Sequence, residues 1–359
     1  MMMTHSAIRM RGEPCTGSGF AVLLNANAKQ VNARVRRSLE RVVAPRDLFL
    51  SRDAGEARAI ADTVVSRRYE TVFAGGGDGT FVGWVNYILD RAERRAAPVP
   101  RFGVLALGTG NAMAEVVGAR PDDHMADLAA FANGEANSVR QLDLLTCEGR
   151  RTPFAGVGID AAVLNDYCWL KDRLGDSALK HLGTGIPGYA LCAALRTVPR
   201  YLLERRPSYC EIVNVGRPAY RLDGRGRQVG PAIGHGELLY AGSCMMAAAS
   251  TVPFYGFGLR AFPFAESRPG MLQLRVVTQL SVPSVLWNLP SIWSGEFAHR
   301  NVLDFHVENV AVQFERPMPL HIGGDAEGWR DQVMFGMAAE GVELVDFKPP
   351  RTQRPRLVS

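Results

Sequence analysis

Over the first third of the chain, short apolar runs alternate with segments of helical periodicity. Phe20 to Leu24 in GFAVLLNANAKQ reads as a buried strand ending at Asn25 and Asn27, and EARAIADTVVSRRY follows at helical spacing. A second strand, Thr71 to Ala74, precedes TFVGWVNYILDRAERR, which puts Phe81, Val85, Ile88 and Leu89 on one helical face. RFGVLALGTGNAMAEVVG repeats the order strand, glycine turn, helix. Such alternation predicts a parallel α/β sheet with ligand-binding turns at the carboxyl ends of its strands.

Past Asp143 the period changes. PSYCEIVNV, MLQLRVVTQL and VENVAVQF carry period-2 character between glycines and predict antiparallel strands, interrupted by helices around Tyr189 to Glu204 and Val282 to Ser294. We therefore expect an α/β domain over 17–146, a β-rich domain over 147–347 and a disordered tail over 348–359. The longest uncharged run, Tyr240 to Leu259, is broken by Gly, Ser, Thr and Pro and reads as strands and turns, not a membrane span.

Composition narrows the partners. The formal charge is +5, carried largely by arginine and dispersed along the chain, which suits an anionic ligand or membrane surface and gives no case for nucleic acid. The 6 cysteines show no CxxC spacing and read as reduced thiols of a cytosolic protein. MMMTHSAIRMRGEPC lacks an apolar core of signal-peptide length, so secretion is not expected.

Two glycine turns carry candidate chemistry. In GGGDGT (Gly75, Gly76, Gly77, Asp78, Gly79, Thr80) the glycines allow close backbone approach, and the following helix would turn its free N–H groups toward an anion. Asp78 beside phosphate oxygens calls for a cation or a hydroxyl partner; the alternative is a capping Asp in a glycine-rich turn. LGTGN (Leu107, Gly108, Thr109, Gly110, Asn111) stands in the same context, and two such loops at neighbouring strand ends could grip one polyphosphate. Neither is a Walker A sequence or a GxGxxG dinucleotide fingerprint.

GGGDGT and LGTGN, followed by GVGIDAAV (Gly156 to Val163) and GGDAEG (Gly323 to Gly328), resemble the diacylglycerol kinase catalytic family in motif order over residues 20 to 345. The resemblance implies an N-terminal α/β domain of the NAD kinase and diacylglycerol kinase type that binds ATP. It also implies a C-terminal antiparallel sandwich, with the active site in the cleft between them. By the same resemblance Asn25, Ser51, Gly75 to Thr80 and Gly108 to Asn111 contact the nucleotide. The family's Asp-Gly-Glu motif appears as Asp325-Ala326-Glu327, with Asp325 the favoured general base and Glu327 its alternative or orienting partner. Asp78 joins them as a catalytic residue, and Asp78 with Asp325 would hold Mg²⁺. Asp160 either faces the lipid head group or caps a helix starting at Ala161. Family members often carry Asn-Asp where this chain has Asn111-Ala112, an acidic Asp-Gly-x-Leu where it has Pro269-Gly270-Met271-Leu272, and Gly in place of Ala326. Ala326 would be strained if that position needs positive φ.

The function implied is transfer of the ATP γ-phosphate to a lipid hydroxyl, diacylglycerol first and a sphingoid base or ceramide next. NAD kinase and a non-catalytic lipid- or nucleotide-binding protein are the rivals. The expected setting is cytoplasmic with peripheral membrane association, and a homodimer is left open. Two segments are candidates for membrane contact: the helix within Gly183 to Pro207, with Arg196, Arg200, Arg205 and Arg206, and SVPSVLWNLPSIW, with Trp287 and Trp293. Core packing is the alternative for each. His181, His299 and His321 show no metal-ligand spacing and read as structural or surface residues.

Overall fold

A computed structural model describes residues 19–28, 30–108, 110–136, 138–174 and 208–348. Thr109, His181, the arginine-bearing helix expected within Gly183 to Pro207, and residues 349–359 of the expected tail lie outside the described residues.

In chain order the first unit comprises β1 (Phe20–Asn25), α1 (Ala33–Leu39), β2 (Leu48–Ser51), α2 (Ala54–Arg67), β3 (Thr71–Gly76), α3 (Asp78–Arg95), β4 (Arg101–Ala106), α4 (Ala112–Val117), α5 (His124–Ala132) and β5 (Ser138–Leu142). The second comprises β6 (Leu145–Cys147), β7 (Arg150–Thr152), β8 (Phe154–Gly158), α6 (Ile159–Leu174), β9 (Ser208–Asn214), β10 (Tyr220–Leu222), β11 (Leu238–Cys244), β12 (Met246–Ser250), β13 (Leu272–Val277), α7 (Val282–Trp287), α8 (Leu289–Ser294), β14 (Val302–Val307), β15 (Asn309–Ile322) and β16 (Asp325–Met337), before β17 (Val342–Asp346).

The first sheet runs β2-β1-β3-β4-β17-β5, and β1, β2, β3 and β4 are mutually parallel. Ala21, Val22, Leu23 and Leu24 are all fully buried because helices cover both faces. One face packs on α2, α3 and α4 through Ala61, Val64, Phe81, Val85, Ile88 and Val116; the other packs on α1 and α5 through Leu39 and Leu128. The expected stripe Phe81, Val85, Ile88 and Leu89 is the buried face of α3.

β17 departs from the expected division of the chain. Residues 147–347 do not form one continuous second unit, because β17 returns to the first sheet, parallel to β4 and antiparallel to β5. Val342 and Leu344 join the first core, and the Phe347 amide donates to the Val117 carbonyl at 2.8 Å. The sheet expected to be parallel thus closes with an antiparallel edge strand.

Among the described residues the second unit is an antiparallel sheet of 11 strands around a separate core that includes Val157, Ile212, Leu274, Phe305, Val312 and Phe335. Its long hairpin, β15 to β16, turns at Gly323 and Gly324, with φ of 60° and 88°. Positive φ at both central residues is what a two-residue type I′ connection requires. The hairpin tip leans on α3: a side chain at Gly323 would come within 2.6 Å of Val82. α3 is also tied to β7, since the Asn86 amide donates to the Arg151 carbonyl (2.7 Å) and accepts from the Arg151 N–H (2.9 Å). The Arg151 guanidinium bonds Asp90 at 2.9 Å.

Gly103 of β4 faces the fully buried Phe73, and a Cβ there would lie 2.2 Å from the ring. Gly103→Ala should destabilise the protein by about 1–3 kcal/mol, read as a lower urea midpoint with an unchanged m-value.

Candidate active site

At the carboxyl edge of the first sheet β3 runs two residues further than expected, through buried Gly75 and Gly76, and α3 starts immediately at Asp78 with Gly77 as its N-cap. The 18-residue helix therefore directs its free N–H groups and positive dipole end into the edge of the sheet. The second loop lies directly on the first: a Cβ at Gly108 would sit 2.2 Å from the Gly77 Cα. Backbone touches backbone there, and only glycine fits.

Three polar side chains lock the loops. Asp78 accepts from the Ala112 N–H through Oδ2 and from the Met113 N–H through Oδ1, both at 2.9 Å, so it caps α4 from the neighbouring loop. Asn111 adopts the left-handed conformation (φ 49°), accepts from the Gly108 N–H (3.1 Å) and donates to the Gly108 carbonyl (3.2 Å). Asn25 donates to the Thr80 hydroxyl at 3.0 Å, joining the end of β1 to the first turn of α3. Ser51 is buried and its hydroxyl donates to the Leu24 carbonyl at 3.2 Å, an anchoring bond between β2 and β1. Fully buried Ala112 supplies an amide to Asp78.

The hairpin brings Asp325 to this edge. Its carboxylate occupies the space a side chain at Gly79 would take, with Oδ1 2.4 Å from that Cβ position. Ala326 is free of the feared strain: it pairs with His321 in the β15–β16 ladder and is not among the positive-φ residues. Glu327 forms an ion pair with Arg150, whose guanidinium also lies 3.9 Å from Asp325. Arg150 carried no local signal in the sequence; it arrives because β6 pairs with both β7 and β16.

These carboxylates are held against their preference. Desolvation pushes the Asp78 carboxyl above the usual carboxylate range despite the Met113 and Ala112 hydrogen bonds, and the Asp325 charge pushes it further. Desolvation likewise raises Asp325, opposed by Arg150 and reinforced by Glu327, although its side chain keeps 55% exposure in the open cleft.

Asp160 stands in the first turn of α6, buried against two groups the sequence reading did not join to it. Tyr255 donates to Asp160 Oδ2 at 2.5 Å, and His321 Nε2 lies 3.1 Å from the same oxygen and in contact with the Tyr255 hydroxyl. Burial alone would raise the Asp160 carboxyl, but the hydrogen bond and charge of His321, with Tyr255, hold it below the usual range. His321 is thus a buried partner of Asp160, four residues ahead of Asp325. Asp160 Oδ1 and His321 Nδ1 have no hydrogen-bond partner among the described residues. His299 stacks on Phe297. The described cysteines Cys147, Cys210 and Cys244 are free and buried, and burial pushes the Cys147 thiol up to about 12.

Residues 20–145 match the diacylglycerol kinase catalytic domain, and residues 221–334 match the YegS C-terminal NAD kinase beta sandwich-like domain. The chain thus carries a diacylglycerol kinase catalytic domain and a C-terminal domain of the YegS kind, which together support a place among the diacylglycerol kinase-like proteins. An eye-specific diacylglycerol kinase of Drosophila melanogaster is 53% identical over 47 residues, a match spanning 13% of this chain and 3% of that protein. A putative diacylglycerol kinase from Bacillus anthracis str. Sterne shares the fold with a TM-score of 0.59 at 15% identity, over 91% of this chain and 97% of that one. A second diacylglycerol kinase structure from the same organism gives 0.56 at 12% identity, over 91% and 96%.

A carboxyl raised in the folded state binds its proton more tightly there than in the unfolded chain. The fold is then favoured below the ordinary carboxylate range, and that contribution is lost as pH rises through the raised value. Asp325→Asn removes both the desolvated charge and its repulsion of Asp78. In the absence of divalent cations its melting temperature should exceed that of the parent at neutral pH, with the advantage shrinking as pH falls through the raised value and gone below about 4, the ordinary carboxylate range. A parent-like melting temperature at every pH would refute the opposition of these carboxylates.

Proposed function

We propose that this protein is a lipid kinase that uses ATP and Mg²⁺ to phosphorylate a lipid hydroxyl, with diacylglycerol as preferred acceptor and phosphatidic acid as product. The observation that carries the reading is the seating of Asp325 against Gly79, at the N-terminal end of α3, beside two glycine loops in backbone contact. Phosphoryl transfer asks little covalent chemistry of the protein: alignment, charge neutralisation and one acceptor for the alcohol proton. The amides of Gly77, Gly79 and Thr80 would cradle phosphate oxygens, and Gly108 and Gly110 would close the cradle from the second loop.

Asp325 would accept the proton of the lipid hydroxyl, being the exposed carboxylate at this edge. Glu327, fixed by Arg150, would orient the hairpin end. Asp78 would hold the second loop in place through its two amide bonds. Asp78 and Asp325 also suit Mg²⁺: the Asp325 charge disfavours the charged form of buried Asp78, and a divalent cation would relieve that repulsion. Mg²⁺ commonly takes one or two carboxylates and completes its shell from phosphates and water. When bound, the ion would neutralise the transferring phosphoryl group.

Radiolabelled ATP with diacylglycerol, a sphingoid base, ceramide and NAD in mixed micelles tests the acceptor. Preference for an acceptor other than diacylglycerol would overturn that part of the reading. Asp325→Asn should lower kcat by about 10²–10⁴-fold with ATP affinity nearly intact; a larger loss in Glu327→Gln would move the base to Glu327. Gly108→Ala, which forces the loops apart, should lower kcat/KM by about 100-fold in a protein that still folds.

A further inference from the structure

α7 and α8 form an outward projection between β13 and β14. Trp287 is 88% exposed, Leu289 44% and Trp293 37%, with Pro283 and Pro290 exposed beside them. A tryptophan left this open gives up most of the burial its size offers, and two of them with a leucine make an apolar patch needing a partner. The chain carries no Asp, Glu, Lys or Arg from Val276 to Gly295. Charge resumes at the rim: Arg260 and Arg300 are both exposed, as are the acids Glu296 and, beside Gly258, Glu115.

The patch connects directly to the cleft. The Trp293 carbonyl accepts from the Arg260 N–H at 3.0 Å, and the Trp293 indole nitrogen lies 3.7 Å from a Cβ position at Gly258. One residue earlier, the Phe257 N–H donates to the Gly110 carbonyl at 2.7 Å. A single short loop therefore runs from the aromatic patch to the second glycine loop. Among the described residues no helix is long and apolar enough to cross a bilayer.

We propose that α7 and α8 are the surface by which this protein docks on an anionic phospholipid bilayer, with Trp287, Leu289 and Trp293 entering the interface and Arg260 and Arg300 facing the head groups. Indole rings favour this zone because they are apolar with one polar N–H, and basic residues at the rim gain from the negative surface potential. Docking this way sets the loop bordering the active cleft at the lipid surface. The proposal rests on the lipid-kinase reading for its purpose, but its test is independent of catalysis.

The parent protein should sediment with vesicles of equal parts phosphatidylglycerol and phosphatidylcholine, and its tryptophan emission should shift to the blue and be quenched by acyl-chain bromine. The double variant Trp287→Gln/Leu289→Gln should bind these vesicles more than about tenfold more weakly, while phosphorylating a short-chain soluble diacylglycerol as the parent does. Arg260→Gln/Arg300→Gln should lose affinity for these vesicles at low salt but not for pure phosphatidylcholine. Parent-like vesicle binding by the tryptophan–leucine variant would overturn the proposal. So would a parent dimer that this variant converts to monomer with vesicle binding unchanged, since the patch would then be covered by a second copy. If the parent fails to phosphorylate any lipid but binds vesicles through Trp287, the docking surface stands and the acceptor reading falls.

Discussion

Two stretches of backbone meet at the carboxyl edge of the parallel sheet with no room for a side chain between them. Gly108 rests on Gly77, and the rest of the site is arranged around that contact. Because the loops touch, the Asp78 carboxylate can reach the amides of Ala112 and Met113 on the neighbouring connection. Because α3 begins without an intervening loop, its N-terminal amides and dipole end open onto the same edge. Asn111 then folds the second loop back on itself through a left-handed backbone that an Asn tolerates better than most residues.

The second unit completes this edge. The β15–β16 hairpin lays Gly323 on Val82 and Asp325 on Gly79, so both units share α3 as a common wall. Bonds from Asn86 and Asp90 to Arg151 hold the same helix to β7. The cleft is consequently a seam between two cores, which is where ligand sites commonly form. It concentrates negative charge under partial desolvation, with Asp78, Asp325 and Glu327 close together and Arg150 paired with the hairpin carboxylates. Such an arrangement trades fold stability for readiness to take up cationic or proton-donating groups.

Much of the first unit was readable along the chain. Apolar runs such as Ala21 to Leu24 are buried on both sides, and the stripe on α3 follows a 3.6-residue period, so local pattern and tertiary environment agree. The glycine loops were readable for the same reason: a backbone contact without side chains leaves a compositional trace. Where β3 ended was not readable, since Gly75 and Gly76 look like a turn yet continue the ladder with β4. β17 was missed as a member of the first sheet because nothing in Val342 to Asp346 states which sheet edge it will join.

By itself the sequence determined the chemistry available: two glycine loops, each following a strand and leading into a helix, an acid in the first of them, and an Asp-x-Glu pair behind two glycines. Those features depend on neighbours a few residues away, where chain connectivity fixes distances. Only the tertiary structure decided which groups meet. Arg150 with Glu327, His321 and Tyr255 with Asp160, and Asp78 with the amides of α4 are pairings across 34 to 177 residues. Side chains so far apart in the chain are brought together by sheet register and hairpin geometry, and one residue of slip in a strand would send them to the opposite face.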